Sequence, residues 1–320
     1  MKHVFVINPI AGKENPARLL GPKIHEAFLG MEADLEIYMT KGRQDAIRFV
    51  RERCACSFGE ELRFYACGGD GTISEVLSGM YDCPNASLGV IPCGTGNDFV
   101  KCYPNADFLS IEAQLKGEEK RIDAIRFNDL VSLNICNVGL DADVAHNMHR
   151  FKRWPMVSGV GAYNLAIAYT FFSRLGKAVV ITLDDTTVLE ANSMLMVIAN
   201  GQYYGGNYRG APLAQLDDGL MDVCLVPKLP RATMLRIIGK YQKGLHISDP
   251  EVKQLVTYTR CKSITVQYRE PVTMCVDGET FINDSIAARV LPGQVRFVVP
   301  AAKAVSAVCK EEQVKQPVMV

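Results

Sequence analysis

Two glycine-rich loops constrain this chain more than any other feature. The first, Gly68-Gly69-Asp70-Gly71-Thr72 with Glu75 one turn further on, follows the apolar run at 62–67. The second, Gly94-Thr95-Gly96-Asn97-Asp98, follows the run at 88–92. Each loop leads into a segment with helical spacing. Strand, glycine turn and helix together present bare backbone N–H groups and a helix N-terminus to a phosphate. One such loop would carry little weight. Two of them, about one βα unit apart and each with an aspartate, point to a nucleotide held beside a charged network.

The surrounding pattern says what these loops sit on. Apolar runs at 3–7, 33–39, 62–67 and 87–92 alternate with helical segments at 16–30, 43–55 and 73–81. That alternation implies a doubly wound α/β domain over residues 1–124, with a parallel sheet covered on both faces. Ligands of such sheets bind at the carboxyl ends of the strands, so the loops should converge on one edge. From about residue 125 strand-like runs dominate, at 130–138, 178–183, 190–199, 221–226, 262–268, 272–277 and 287–299. Many alternate as half-buried antiparallel strands do. Residues 125–299 therefore read as a mainly antiparallel β-sandwich domain, making the fold class α/β plus β. Helical segments near 158–175 and 231–244 interrupt it, the first reading as a core helix. Residues 300–309 are expected to pack back on the first domain, and Lys310–Val320 to form a loose polar tail.

Charge and cysteine usage narrow the setting. Lys+Arg and Asp+Glu both number 35, which argues against binding nucleic acid by bulk charge. Eleven scattered cysteines without a C-x-x-C pair fit reduced, buried thiols in a cytoplasmic enzyme. The N-terminus enters the strand-like run His3–Ile7 at once, so no leader is expected. No run reaches the ~20 apolar residues that a membrane span needs.

The remaining candidates are loops with two readings each. Asn8-Pro9-Ile10-Ala11-Gly12-Lys13 follows the first strand but lacks the hydroxyl of a P-loop, because Glu14 stands in its place. It either contacts a nucleotide through backbone, Asn8 or Lys13, or simply turns the chain. Thr40 is a nucleotide contact or a helix N-cap. Asp70 cannot lie against phosphates without a cation, which implies Mg²⁺ or a water that Mg²⁺ holds. Thr72 caps its helix or touches a phosphate, and Glu75 reaches a ribose or a metal-bound water. Asp98 follows the logic of Asp70, and Asp123 could complete a trio. Gln215-Leu216-Asp217-Asp218-Gly219-Leu220 is a hairpin-type turn or a hard-cation site. Asp277-Gly278-Glu279 places two carboxylates at a turn where one could take a proton, although from the residues alone a surface turn is favoured.

Taken together, Gly-Gly-Asp-Gly-Thr, Pro92-x-Gly-Thr-Gly-Asn-Asp, Gly139-Leu140-Asp141-Ala142, Asp-Gly-Leu and Asp-Gly-Glu resemble the diacylglycerol kinase catalytic-domain superfamily, especially its soluble bacterial lipid kinases. The resemblance runs from about residue 3 to 300. NAD kinases and phosphofructokinases are similar in the first motif only. The resemblance implies ATP bound between the two domains and transfer of its γ-phosphoryl to a lipid hydroxyl, diacylglycerol first, giving phosphatidic acid. It assigns ATP to Asn8, Pro9, Ile10, Ala11, Gly12, Thr40, Gly68, Gly69, Asp70, Gly71, Thr72, Glu75, Thr95 and Asn97. It implies a Mg²⁺ network on Asp70, Asp98 and Asp123, and a structural Mg²⁺ on Gln215, Asp218 and Leu220. It makes Asp277 or Glu279 the general base, with the preference on Asp277. Leu140 replaces the family's usual phenylalanine, and Gln215 an often longer or charged residue. Other acceptors stay open: a sphingosine-like base, phosphatidylglycerol, a polyprenol or NAD. So does a nucleotide-gated regulatory module without turnover.

A lipid acceptor implies peripheral contact with a membrane. His149-Arg150-Phe151-Lys152-Arg153-Trp154 combines a basic cluster with the single tryptophan. Arg231–Lys243 reads as a basic amphipathic helix, or as a surface helix covering the sheet. The acceptor pocket is expected from 139–175 and 200–213. Self-association through second-domain strands would give a homodimer.

Overall fold

The computed structural model describes residues 1–151, 154, 159–173 and 175–303. Its first part alternates β1 (Lys2–Ile7), α1 (Pro16–Ala27), β2 (Asp34–Met39), α2 (Asp45–Ala55), β3 (Leu62–Gly68), α3 (Asp70–Met80) and β4 (Ala86–Pro92), followed by the short α4 (Ile111–Leu115). The four strands run parallel in the order β2-β1-β3-β4. Successive side chains point to opposite faces. Val4, Val6, Phe64 and Ala66 pack with α2 and α3, whereas Phe5, Ile7, Tyr65 and Cys67 pack with α1 and α4. Burial on both faces explains why these strands read as continuous apolar runs. Because the strands are parallel, the loops that follow them gather along one edge.

The second part comprises β5 (Glu118–Phe127), β6 (Leu130–Ser132), β7 (Ile135–Gly139), α5 (Leu140–Phe151), α6 (Gly159–Phe172), β8 (Lys177–Leu183), β9 (Thr187–Ala199), β10 (Met221–Pro227), α7 (Arg231–Gln242), α8 (Pro250–Lys253), β11 (Thr257–Cys261), β12 (Ser263–Val276) and β13 (Glu279–Val299). Its strands pair antiparallel. Both β9 and β12 pair with β8 over one half and with β7 over the other, so each serves both layers of a sandwich. Val138, Ile181, Ile198, Val266 and Ile286 meet in the core between them. A register shift between Gln267 and Val272 makes β12 one strand where the sequence shows two runs.

β13 joins the two parts. It pairs antiparallel with β12 and β5 and then parallel with β4. The boundary expected between 124 and 125 falls inside β5, which lies along β13. Beyond β13, Ala301 N–H donates to Ala113 O at 3.1 Å and Lys303 N–H to Asn105 O at 3.0 Å. Residues 304–320 lie outside the described residues.

The helix at 159–172 is not the core helix its composition suggests. Among its described side chains only Ala162, Ala166 and Thr170 are buried, whereas Leu165, Tyr169 and Phe172 are exposed, the last by 78%. Small residues let α5 approach along one stripe, and Phe171 at the C-terminal end packs toward α7 beneath Arg231. Among the described residues every cysteine is a free thiol, and no described helix is long and apolar enough to cross a membrane.

Candidate active site

The loops after β1, β2, β3 and β4 form one half of a cleft of about 960 Å³, and α5, α6 and α7 form the other. The loop half is built backbone against backbone. Gly68 O accepts from Cys93 N–H at 2.8 Å and from Gly94 N–H at 3.2 Å. A Cβ on Gly94 would lie 2.5 Å from the Gly69 Cα, so no other residue fits without parting the loops. Gly12 has φ +75°, and a Cβ there would lie 2.2 Å from Cys93 O. The three loops are therefore one rigid surface. Gly69 caps α3, whose first-turn N–H groups face the cleft.

Side chains tie this surface together. Asn8 Nδ2 donates to Thr72 Oγ1 at 3.2 Å, and Asn8 Oδ1 accepts from Ile10 N–H at 3.2 Å. Gln44 N–H donates to Glu75 Oε1 at 2.9 Å, which fixes the turn that leads into α2. Asp70 Oδ1 accepts from Asp98 N–H at 2.9 Å. Asp98 Oδ1 pairs with Lys101 Nζ at 2.6 Å, and its Oδ2 accepts from Gly206 N–H at 3.0 Å. Lys101 also donates to Gly206 O. The 204–208 loop, closed by reciprocal 2.9 Å bonds between Tyr204 and Tyr208, is thereby fastened to Asp98.

Asp70 Oδ2 and Asp98 Oδ2 both face Gly96. Burial, and then the charge on Asp98, raise the Asp70 carboxyl above its ordinary range. No cluster of three or more metal-ligating acidic, His or Cys side chains exists among the described residues. Two close carboxylates beside a phosphate-type surface suit Mg²⁺, which takes one or two carboxylates and completes its shell with water and phosphate oxygens.

Across the cleft stands the turn between β12 and β13. Asp277 has φ +47°. Its N–H donates to Ile135 O at 3.1 Å, and its Oδ1 accepts from Ile135 N–H at 3.1 Å. Burial pushes the Asp277 carboxyl up to about 7; Ile135 N–H and the Ser132 hydroxyl oppose that shift, while Asp70 and Glu279 add to it. Glu279 instead reaches over the mouth of the cleft to Arg43, at 2.9 Å. Further in, Tyr204 OH donates to Asp141, whose carboxyl burial raises to about 6.

The structure thus brings Asn8, Pro9, Ile10, Ala11, Gly12, Thr40, Gly69, Asp70, Gly71, Thr72, Glu75, Thr95, Asp98, Asp277 and Glu279 to one cleft. Other candidates lie elsewhere. Gly68 sits behind the surface against Thr72. Asn97 folds back on Gly94, donating to its O at 2.7 Å and accepting from its N–H at 3.1 Å. Asp123, 2% exposed, spends both oxygens on Gly219 N–H and Gly293 N–H, each at 2.7 Å. It belongs with the 215–220 turn rather than with Asp70 and Asp98. In that turn Asp218 Oδ1 accepts from Leu220 N–H at 3.0 Å, and its Oδ2 is 3.6 Å from Arg260. Gln215 is exposed.

Comparison with known proteins agrees with this layout. The diacylglycerol kinase catalytic domain model matches residues 2–127, and the YegS C-terminal NAD kinase beta sandwich-like domain model matches residues 134–299. The chain belongs to the diacylglycerol kinase family. A diacylglycerol kinase of Bacillus subtilis is 28% identical over 284 residues, covering 87% of this chain and 90% of that protein. One of Staphylococcus epidermidis is 28% identical over 282 residues, covering 86% and 84%. A crystal structure of a diacylglycerol kinase from Bacillus anthracis superposes with a TM-score of 0.68 at 22% identity, covering 93% of this chain and 96% of that one, and shows the same fold.

As a diacylglycerol kinase-family site, the cleft contains groups that sequence reasoning passed over. Lys101 helps hold its two halves together without belonging to a motif, and Tyr204, within the 200–213 stretch expected to line the pocket, makes a bond to Asp141 that no motif shows. The stretch 139–175 is expected to line the acceptor pocket, but α5 within it is not readable as a helix because its acidic first turn masks the apolar stripe of Leu140, Val144 and Met148 that lines the cleft. Leu140 of the family motif is a wall residue here. On α7, Met234, Leu235 and Ile238 also line the cleft. Three cations of that helix are engaged within the protein: Arg231 with the carbonyls of Phe171 and Ser173, Arg236 with Glu251, and Lys240 with Asp249 and Glu251. In the 149–154 segment, Lys152, Arg153 and the His149 side chain lie outside the described residues, while Trp154 is exposed.

Proposed function

We propose that the chain is an ATP- and Mg²⁺-dependent lipid kinase that transfers the γ-phosphoryl group to a lipid hydroxyl, with diacylglycerol as acceptor and phosphatidic acid as product. One observation carries the reading. A single cleft joins a phosphate-type backbone surface to a wall of apolar helices, with a carboxylate raised to about 7 between them. A soluble small-molecule acceptor would need no such wall, whereas a lipid with acyl chains does.

The chemistry asks mainly for positioning and charge neutralisation. The α3 N-terminus and the loops at 8–12 and 69–72 hold the phosphates. Asp70 and Asp98 would hold Mg²⁺, which would supply positive charge against the charge developing on the phosphates. Asp277 accepts the proton of the acceptor hydroxyl as its oxygen bonds to the γ-phosphorus and the bond to the β–γ bridging oxygen breaks, releasing ADP. A carboxylate near 7 is matched to that task at neutral pH. Glu279, paired with Arg43, closes the mouth instead, which supports Asp277 as the base. Gln215, the Asp218 carboxylate and the Leu220 carbonyl remain a proposed second cation site, remote from the reaction. Peripheral membrane contact from the cytoplasmic side, through 149–154 and through 231–243, would deliver the acceptor.

The test is transfer of label from γ-labelled ATP with Mg²⁺ to acceptors in mixed micelles. Labelled phosphatidic acid from diacylglycerol is expected. Label on a sphingoid base, phosphatidylglycerol or a polyprenol instead would keep the mechanism and change the acceptor. ATP binding without transfer to any acceptor would replace the kinase by a regulatory module.

A further inference from the structure

Asn137 stands on β7 between two elements that the reaction uses. Two residues before it, Ile135 holds Asp277 by a pair of backbone bonds. Two residues after it, Gly139 ends the strand and Leu140 begins the apolar wall of α5. Its strand neighbours Cys136 and Val138 point into the sandwich core, so Asn137 faces the other way, into the cleft. The residue is 6% exposed. Among the described residues no group hydrogen-bonds its side chain. The amide is therefore held in the wall of the cleft with no protein partner, open to what the cleft contains. Its only open side is the cleft, so its N–H donors are free for a ligand.

The strand sets the spacing. At about 3.4 Å per residue, Asn137 lies roughly 7 Å beyond Ile135, away from the reacting end and toward the apolar wall. Along the cleft, the order is therefore a base for the hydroxyl, then an amide donor, then hydrocarbon. A glycerolipid presents the matching order: the free hydroxyl, then an ester carbonyl on the neighbouring carbon, then acyl chains. A polyprenol or simple long-chain alcohol has nothing to meet the amide and would leave it unpaired. Asp141, on the next turn of chain and held by Tyr204, does not compete for the carbonyl, since a carboxylate accepts rather than donates.

We propose that Asn137 determines acceptor specificity by donating a hydrogen bond to the ester carbonyl next to the reacting hydroxyl, so that the acceptor class is an acylated rather than an ether-linked or hydrocarbon alcohol. The inference rests on the lipid-kinase reading and adds the group that is recognised.

The experiment compares a diacylglycerol with the dialkylglycerol of the same chain lengths, which lacks both carbonyls, in mixed micelles. Wild type is expected to favour the ester lipid in kcat/KM by roughly tenfold, the size of one buried hydrogen bond. Asn137→Leu, close in volume but without donors, loses that advantage by slowing on the ester lipid alone, with KM for ATP and the melting temperature unchanged. Asn137→Ala, which also lacks donors, serves as a second variant should the leucine disturb folding. Variants that keep the ester preference, or that slow equally on both lipids, would overturn the inference. An active wild type without ester preference removes only the role of Asn137. A wild type that phosphorylates neither lipid removes the kinase reading with it.

Discussion

The two halves of the cleft are built on opposite plans. The loop half is backbone packed on backbone, with its side chains already committed: Asn8 to Thr72, Glu75 to Gln44, Asp98 to Lys101 and Gly206. The helix half is apolar side chain, with one tied carboxylate at Asp141 and one free amide at Asn137. A nucleotide phosphate has a fixed shape and charge, and a preorganised surface meets it without reorganisation. Acyl chains have neither, and need only a dry wall that adapts. The contrast makes changes in the loop half costly to catalysis, and changes in the helix half selective for the acceptor.

The comparison breaks first at Asp70. Asp70→Ala removes the carboxylate that faces Gly96 and the acceptor of the Asp98 N–H. Transfer is expected to fall by roughly 10²–10³ in kcat, the usual cost of losing one preorganised electrostatic element. Initial rates at saturating ATP check this, and a fall confined to KM for the lipid would contradict the division into halves. Next comes Val144→Asp on α5. A charge in the apolar wall should raise KM for the lipid roughly tenfold or more while KM for ATP stays put.

A stability effect follows from Asp277. Its folded pKa of about 7 lies above the unfolded carboxylate value, so the folded state binds the extra proton between those two values. Stability therefore falls as pH rises through that window, and the penalty is fully present above about 7. Asp277→Asn should melt higher than wild type in alkaline buffer and no higher in acid, below the unfolded carboxylate pKa. Equal melting temperatures at every pH would show that the carboxylate is not strained by its site. The smallest effect is that of Arg43→Ala. The Arg43–Glu279 pair is exposed on both sides, so its loss should change unfolding free energy by under about 1 kcal/mol in denaturant titration.

What was legible in the sequence follows the same division. Gly69, Gly94 and Gly12 are set by local backbone clashes, so the loop half announces itself in short motifs. The strands of the first part were readable because both faces are buried. The helix half has no local signature: α6 is apolar all round and reads as core, but among its described residues only the stripe of Ala162, Ala166 and Thr170 is buried. Asp123 and Asp98 look alike in sequence. Tertiary context separates them, since Asp98 lines the cleft beside Asp70 whereas Asp123 is held at the 215–220 turn by Gly219 and Gly293. The bonds of Lys101 and Tyr204 were invisible because their partners, Gly206 and Asp141, are about a hundred and about sixty residues away in the chain. The long β13, which brings Asp277 and Glu279 to the loops, owes its course to pairing with β12, β5 and β4 in turn.

The central claim is that one cleft binds nucleotide at the loops and lipid at the helices, with Asp277 between them as the base. The most direct test is phosphoryl transfer from γ-labelled ATP to diacylglycerol, measured as kcat from acid to alkaline pH for wild type and Asp277→Asn side by side. The account predicts a wild-type rate that rises with an apparent pKa near 7 and levels off above it. In Asp277→Asn, kcat should be lower by roughly 10²–10⁴ and the limb absent, with ATP still bound. An Asp277→Asn enzyme that keeps the wild-type rate and the same pH limb would contradict it.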